Sequence, residues 1–224
     1  MPAAAGPVTR RMARTPGETM KLRLFPQETA ALELLADLAQ QSVLAVQVLS
    51  EMFGAPREEH ERIFEELMHI DRRATELQRS LLTQLRTSFV NPLPREDLLD
   101  LSEGLGAAME HLVAVGEITL VNRLDRPARE ASDQLEIVNR QAELTVGAMR
   151  GLGQLDDLED YWIEMIRLAK RANHTHRLWG ANAMRELSLS AYARSIEMAR
   201  ALLDAAHALK DVGANVGRII VKES

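Results

Sequence analysis

Cysteine is absent from the 224-residue chain. That one absence removes disulfides, thiolate metal sites and thiol nucleophiles together, and it fits a reducing compartment. Aromatic residues are scarce at 4%, so Leu, Ala, Val, Ile and Met must fill any core. Such side chains suit helices packed closely on one another better than a β-sandwich, which draws on aromatic and β-branched residues. Basic residues are outnumbered, and the formal net charge of −6 gives no global electrostatic reason to bind nucleic acid. No run approaches the ~18 apolar residues of a bilayer-spanning helix, so the chain is not expected to span a membrane. Met1 to Glu18 has no apolar stretch of the kind a secretory signal needs. Residues 1–19 read as a flexible tail, in which Arg10, Arg11 and Arg14 could touch acidic lipid headgroups. There is no Gly-rich phosphate loop and no nucleophile elbow, so no catalysis is expected.

Proline is missing beyond Pro127, and its earlier positions are informative. After the tail it falls at Pro26, Pro56, Pro92, Pro94 and Pro127. Proline is tolerated in the first turn of a helix and disfavoured inside one, so these positions mark boundaries. Gly54-Ala55-Pro56, Gly151-Leu152-Gly153 and, less distinctly, Ser188–Ser190 supply further breaks. Six helical segments result: 27–53, 57–88, 95–125, 128–150, 155–187 and 190–217.

Each segment carries apolar residues at steps of three and four, which place them on one helical face. In the second, Ile63, Leu67, Ile70, Ala74, Leu77 and Leu81 form the seam; in the third, Leu98, Leu101, Leu105, Ala108, Leu112 and Val115 do. The fifth reads Leu158, Trp162, Met165, Ala169, Ala172, His176, Trp179 and Ala183, and the sixth Leu189, Tyr192, Ile196, Ala199, Leu203 and Ala206. Steps averaging 3.5 favour the shallow crossings of antiparallel bundles. The expected fold is all-α and elongated: six long antiparallel helices in two tandem three-helix units, 20–125 and 126–224. Such bundles with apolar residues to spare self-associate, so a homodimer is compatible with the pattern.

Two stretches are more particular than a generic bundle. Leu85-Arg86-Thr87-Ser88-Phe89-Val90-Asn91-Pro92-Leu93-Pro94-Arg95-Glu96-Asp97-Leu98 resembles the connection between the second and third helices of the PhoU-like proteins associated with Pit-type phosphate transporters. Asp211-Val212-Gly213-Ala214-Asn215-Val216-Gly217-Arg218-Ile219-Ile220-Val221-Lys222 is similar to the closing segment of that family. With the helix layout, the resemblance covers residues 20–222. In the first stretch, Phe89 and Val90 are expected to cap the bundle end, Pro92 and Pro94 to stiffen the crossover, and Glu96 and Asp97 to favour the start of the third helix through its dipole. The resemblance implies a cytoplasmic protein, peripheral at the inner face of the membrane. It would bind a Pit-type phosphate permease and regulate inorganic phosphate transport without catalysis of its own.

The same resemblance implies acidic E/D-x-x-x-D pairs, whose hard oxygen ligands suit iron or a divalent ion. At the corresponding positions the chain has Leu67 and Asp71, Gly106 and Glu110, Ala172 and His176, Leu203 and His207. The first ligand of every pair is gone, so the expected centre is degenerate or absent. What remains is a candidate mononuclear metal site of Asp71, Glu110, His176 and His207, two carboxylates and two imidazoles. A hydrogen-bonded core histidine is the commoner explanation for His176, which sits mid-seam. Two alternative readings are an interaction bundle with another partner and a metal-dependent carboxylate-bundle enzyme. For the latter, Glu66-x-x-His69 and Asp204-x-x-His207 partly match the di-iron signature, which would need a buried Glu66–His69 pair. Trp162 and Trp179 read as core anchors, Lys170 and Arg171 as outer-face charges, and Gly213 and Gly217 as points of close helix approach.

Overall fold

Two of the expected boundaries fall on prolines: Pro56 stands directly before the turn that leads into the second helix, and Pro94 directly before the third. In the computed structural model, which describes residues 26–124 and 127–223, α1 runs Pro26–Gly54, α2 His60–Thr87, α3 Arg95–Val121, α4 Arg129–Gly151, α5 Glu159–Glu186 and α6 Leu189–Glu223. Short 3-10 turns, Arg57–Glu59 and Leu155–Leu158, lead into α2 and α5. The chain is all-α, and no strand occurs among the described residues. The tail expected at 1–19 and the junction at 125 and 126 lie outside them.

Helix α1 packs on α2, α3 and α4, and α6 packs on α3, α4 and α5. Thus α1, α3, α6 and α4 form an inner square. On one side α2 lies across α1 and α3; on the other, α5 lies across α4 and α6. Each three-helix unit therefore contributes two inner helices and one outer helix. Cross-contacts fix the directions: Asp97 meets Lys222 while Asn122 meets Glu197, so α3 and α6 are antiparallel. One apolar cluster runs through all six helices, from Ala31 to Ile219.

The central position of α1 and α3 explains a departure from the hydropathy expectation. Segments Thr29–Gly54 and Arg95–Val121 are long and apolar enough to cross a membrane by length and composition. Both pack against three neighbouring helices, which calls for apolar residues over much of the circumference; 61% of the first apolar window and 39% of the second are buried.

Three boundaries and two seams differ from the sequence reading. Helix α3 stops at Val121 rather than 125, because Arg123 adopts a left-handed φ of 53°. The Leu124 N–H reaches the Thr119 carbonyl (3.1 Å) and the Arg123 N–H the Leu120 carbonyl (3.1 Å). That is a Schellman termination, usually signalled by a glycine that this sequence lacks. At the other junction, α6 starts at Leu189, where Ser188 Oγ accepts from the Ala191 N–H (3.4 Å). Helix α6 also continues past 217 to Glu223, because Gly213 and Gly217 stay helical and lie against Met165 and Trp162. The α5 seam runs through Tyr161 and Leu168; Trp162 is 38% exposed, whereas Trp179 is the buried anchor and donates its indole N–H to Ser195 Oγ (2.8 Å). Leu189, expected in the last seam, is exposed at the helix start.

Candidate functional site

The two stretches that carry the family resemblance meet at one end of the bundle. Helix α2 ends at Thr87, and the chain turns through Ser88 to Pro94. Ser88 Oγ donates to the Val90 carbonyl (2.5 Å), and the Arg95 guanidinium donates to the Ser88 carbonyl (2.6 Å). Pro92 and Pro94 have fixed φ, so few torsions remain free in this turn. Leu93 is buried and plugs the end of the core. Phe89 and Val90 do not cap it: they are 99% and 59% exposed and project outward. The turn geometry gives the capping place to Leu93 rather than to Phe89 or Val90.

Below this turn, Glu96 and Asp97 enter the first turn of α3 as expected. Asp97 is buried, and its Oδ1 accepts from Lys222 Nζ at 2.5 Å. This contact raises the Lys222 pKa, chiefly through the hydrogen bond to Asp97. Asn215 of α6 donates to the Asp100 carbonyl (3.3 Å). Gly104 admits Val212 against the α3 backbone, since a Cβ there would lie 2.9 Å from Val212 Cγ2. The closing segment of α6 therefore packs along the first turns of α3, directly after the Phe89 turn.

The metal-site candidates are distributed differently. Asp71 and Glu110 share a groove between α2 and α3, lined also by Thr75, Gln78, Glu103 and Glu117. His207 lines a second groove of about 480 Å³ between α3 and α6, with Asp100, Glu103, His111, Asp204, Asp211 and Arg218. Its Nε2 lies 3.0 Å from Asn173 Nδ2, which also donates to the Ala169 carbonyl (2.8 Å). An amide N–H facing Nε2 makes that nitrogen an acceptor, so the imidazole is neutral with its proton on Nδ1. Burial, followed by the nearby Lys210 charge, lowers the His207 pKa. His176 lies elsewhere along α5, with Nδ1 3.2 Å from the Ala199 carbonyl of α6. A carbonyl can only accept, so His176 Nδ1 carries a proton, and the half-buried ring ties α5 to α6.

Only Asp71 and Glu110 are thus brought to one groove. Among the described residues, no three His, Asp or Glu side chains form a group able to hold a metal ion. The vacated first positions have been taken over by packing. Leu67, Ala172 and Leu203 are buried, and the Gln78 amide covers Gly106 while donating to the Ser102 carbonyl (3.0 Å). These residues do not fit the multinuclear centre that the resemblance implies, nor the mononuclear site drawn from its remnants. Glu66 and His69 are both exposed, which removes the buried pair that a di-iron reading needs. The α3–α6 groove was missed as a unit. Its signal was Asp100, Glu103 and His111 on one helix and Asp204, His207 and Asp211 on another, each set at helical spacing along the flank of a seam.

A scan against models of protein families finds no match to the chain, and a search of curated proteins finds none either.

Proposed function

We propose that the chain is a PhoU-like accessory or regulatory protein of inorganic phosphate transport that binds a Pit-type permease from the cytoplasmic side and performs no catalysis. The observation that carries this reading is the end of the bundle. The two resembling stretches are joined there by one ion pair.

 That is, Asp97 and Lys222, which stand 125 positions apart in the chain, are in direct contact at the same end of the molecule. Above them a turn stiffened by two prolines holds Phe89 almost wholly in solvent. A large apolar side chain presented in this way gains nothing for the fold and is available to fill a pocket on a partner, where aromatic anchors contribute most of the binding free energy.

The test is co-purification of the full chain with the Pit-type permease of its own genome, each tagged, from detergent-solubilised membranes. The expected result is capture by the wild type and at least a tenfold loss of capture in Phe89→Asp, with the same thermal midpoint for both proteins. A wild-type chain that captures no permease, or a Phe89→Asp variant that captures it equally well, overturns the reading. So does phosphate uptake that is unchanged when the gene is deleted.

A further inference from the structure

The outer helix of the second unit carries a charge pattern unlike the rest of this acidic chain. Between Glu164 and Glu186, α5 has Arg167, Lys170, Arg171, Arg177 and Arg185 and no carboxylate at all. All five are exposed. Arg167 pairs with Glu164 (2.6 Å), but Lys170, Arg171 and Arg177 make no ion pair among the described residues. The matching outer helix of the first unit, α2, is mixed: Arg62 and Arg73 are paired with Glu51, Glu59, Glu66 and Glu76, and Arg72, Arg79 and Arg86, which make no ion pair among the described residues, share the helix with Glu61, Glu65 and Asp71. At 100° per residue, Lys170, His174, Arg177 and Ala181 fall on the line of α5 that points away from α4 and α6. Ile163, Leu178 and Met184 share this outer face and are 52%, 49% and 69% exposed.

We infer that the outer face of α5 is a docking surface for an anionic lipid bilayer. A 28-residue helix presents a straight edge about 42 Å long. Its unpaired cations match lipid phosphates, and the apolar side chains set among them match the acyl boundary just beneath. Duplex nucleic acid would reward the charges and leave Ile163, Leu178 and Met184 without a counterpart. The inference goes beyond the permease reading and does not rest on it, because lipid alone is the ligand.

The experiment is flotation of the full chain with vesicles of phosphatidylcholine alone, or with about a third phosphatidylglycerol, at low salt and at ~0.5 M salt, where the Debye length falls to a few ångströms. The wild type is expected to float with the anionic vesicles only, and to lose binding at high salt. The variant Lys170→Glu, Arg171→Glu, Arg177→Glu should bind on the order of a hundredfold more weakly, each basic residue near the surface being worth roughly a factor of five. Replacing the same three residues with Gln should give an intermediate loss. A control with the same charge change on α2 (Arg72→Glu, Arg79→Glu, Arg86→Glu) should retain most of the binding. Absence of flotation with anionic vesicles overturns the assignment. Equal losses in the α5 and α2 variants also overturn it, since net charge rather than this face would then govern. Tighter binding to duplex DNA than to the vesicles, abolished by the α5 changes, would reassign the face to nucleic acid.

Discussion

The same substitution at two helical glycines should change stability in opposite directions. Gly147 lies in α4 and is exposed, and a Cβ built there meets nothing within 4 Å. Gly116 lies in α3 and is buried, and its Cβ would sit 2.6 Å from Leu67 Cδ2 and 3.1 Å from Phe64 Cδ2. Ala is favoured over Gly in a helix interior by about 0.5–1 kcal/mol, whichever helix is considered. Gly147→Ala should realise that gain, which for a chain of this size raises the thermal midpoint by roughly 2–3 °C. In Gly116→Ala the same gain is opposed by overpacking. Leu67 is fully buried in a packed interface and cannot yield freely, and forcing an extra methyl into such a site costs about 1–3 kcal/mol. The net effect is a destabilisation of about 1 kcal/mol. Urea unfolding followed by circular dichroism measures both variants, and the separation between them gives the overpacking directly. A Gly116→Ala protein as stable as Gly147→Ala would refute the reasoning, because α2 would then not approach α3 as closely as the geometry requires.

Two further outcomes follow from buried polar groups. Gln134 is fully buried and neither its Oε1 nor its Nε2 has a hydrogen-bond partner, so Gln134→Met, of similar shape, should stabilise the fold by about 1–2 kcal/mol; a loss of stability in urea would show that the amide is satisfied. His207 has a lowered pKa through burial, so the unfolded chain takes up its proton first as pH falls below about 6.5. The contribution is therefore neutral above that pH, and stability declines as pH drops toward the lowered folded-state value. Thermal melts between pH 7 and pH 5 should show a shallower decline in His207→Gln than in the wild type; parallel curves would contradict the assignment.

Helix number, order and approximate length were legible in the sequence, because proline and the 3.6-residue period act through local backbone sterics and local amphipathicity. Where termination depended on hydrogen bonding rather than residue type, the sequence was silent. Arg123 ends α3 in a left-handed conformation that nothing in its side chain announces, and Gly213 and Gly217, which look like a helix end, remain helical because Met165 and Trp162 lie on them. The α5 seam was misplaced by one residue at Trp162 because hydrophobicity ranks Trp above Tyr. Tyr161 can be buried only because Thr145 receives its hydroxyl: Thr145 Oγ1 donates to the Gln141 carbonyl (2.8 Å), which leaves the Tyr161 O–H to donate to Thr145 (3.0 Å).

The sequence by itself determined that the described residues form an all-helical bundle of six segments, that the chain lacks cysteine chemistry, and that the first carboxylate of each expected pair is missing. Those properties are written residue by residue or repeat with the helical period. Tertiary structure decided what no local pattern contains: that Asp97 and Lys222 meet at one end, that Leu93 rather than Phe89 plugs the core there, and that Asp71 and Glu110 share a groove while His176 and His207 are each occupied by a neighbour. Contacts between residues far apart in the chain depend on which helix faces which, and that is settled only when the apolar faces of all six are buried together.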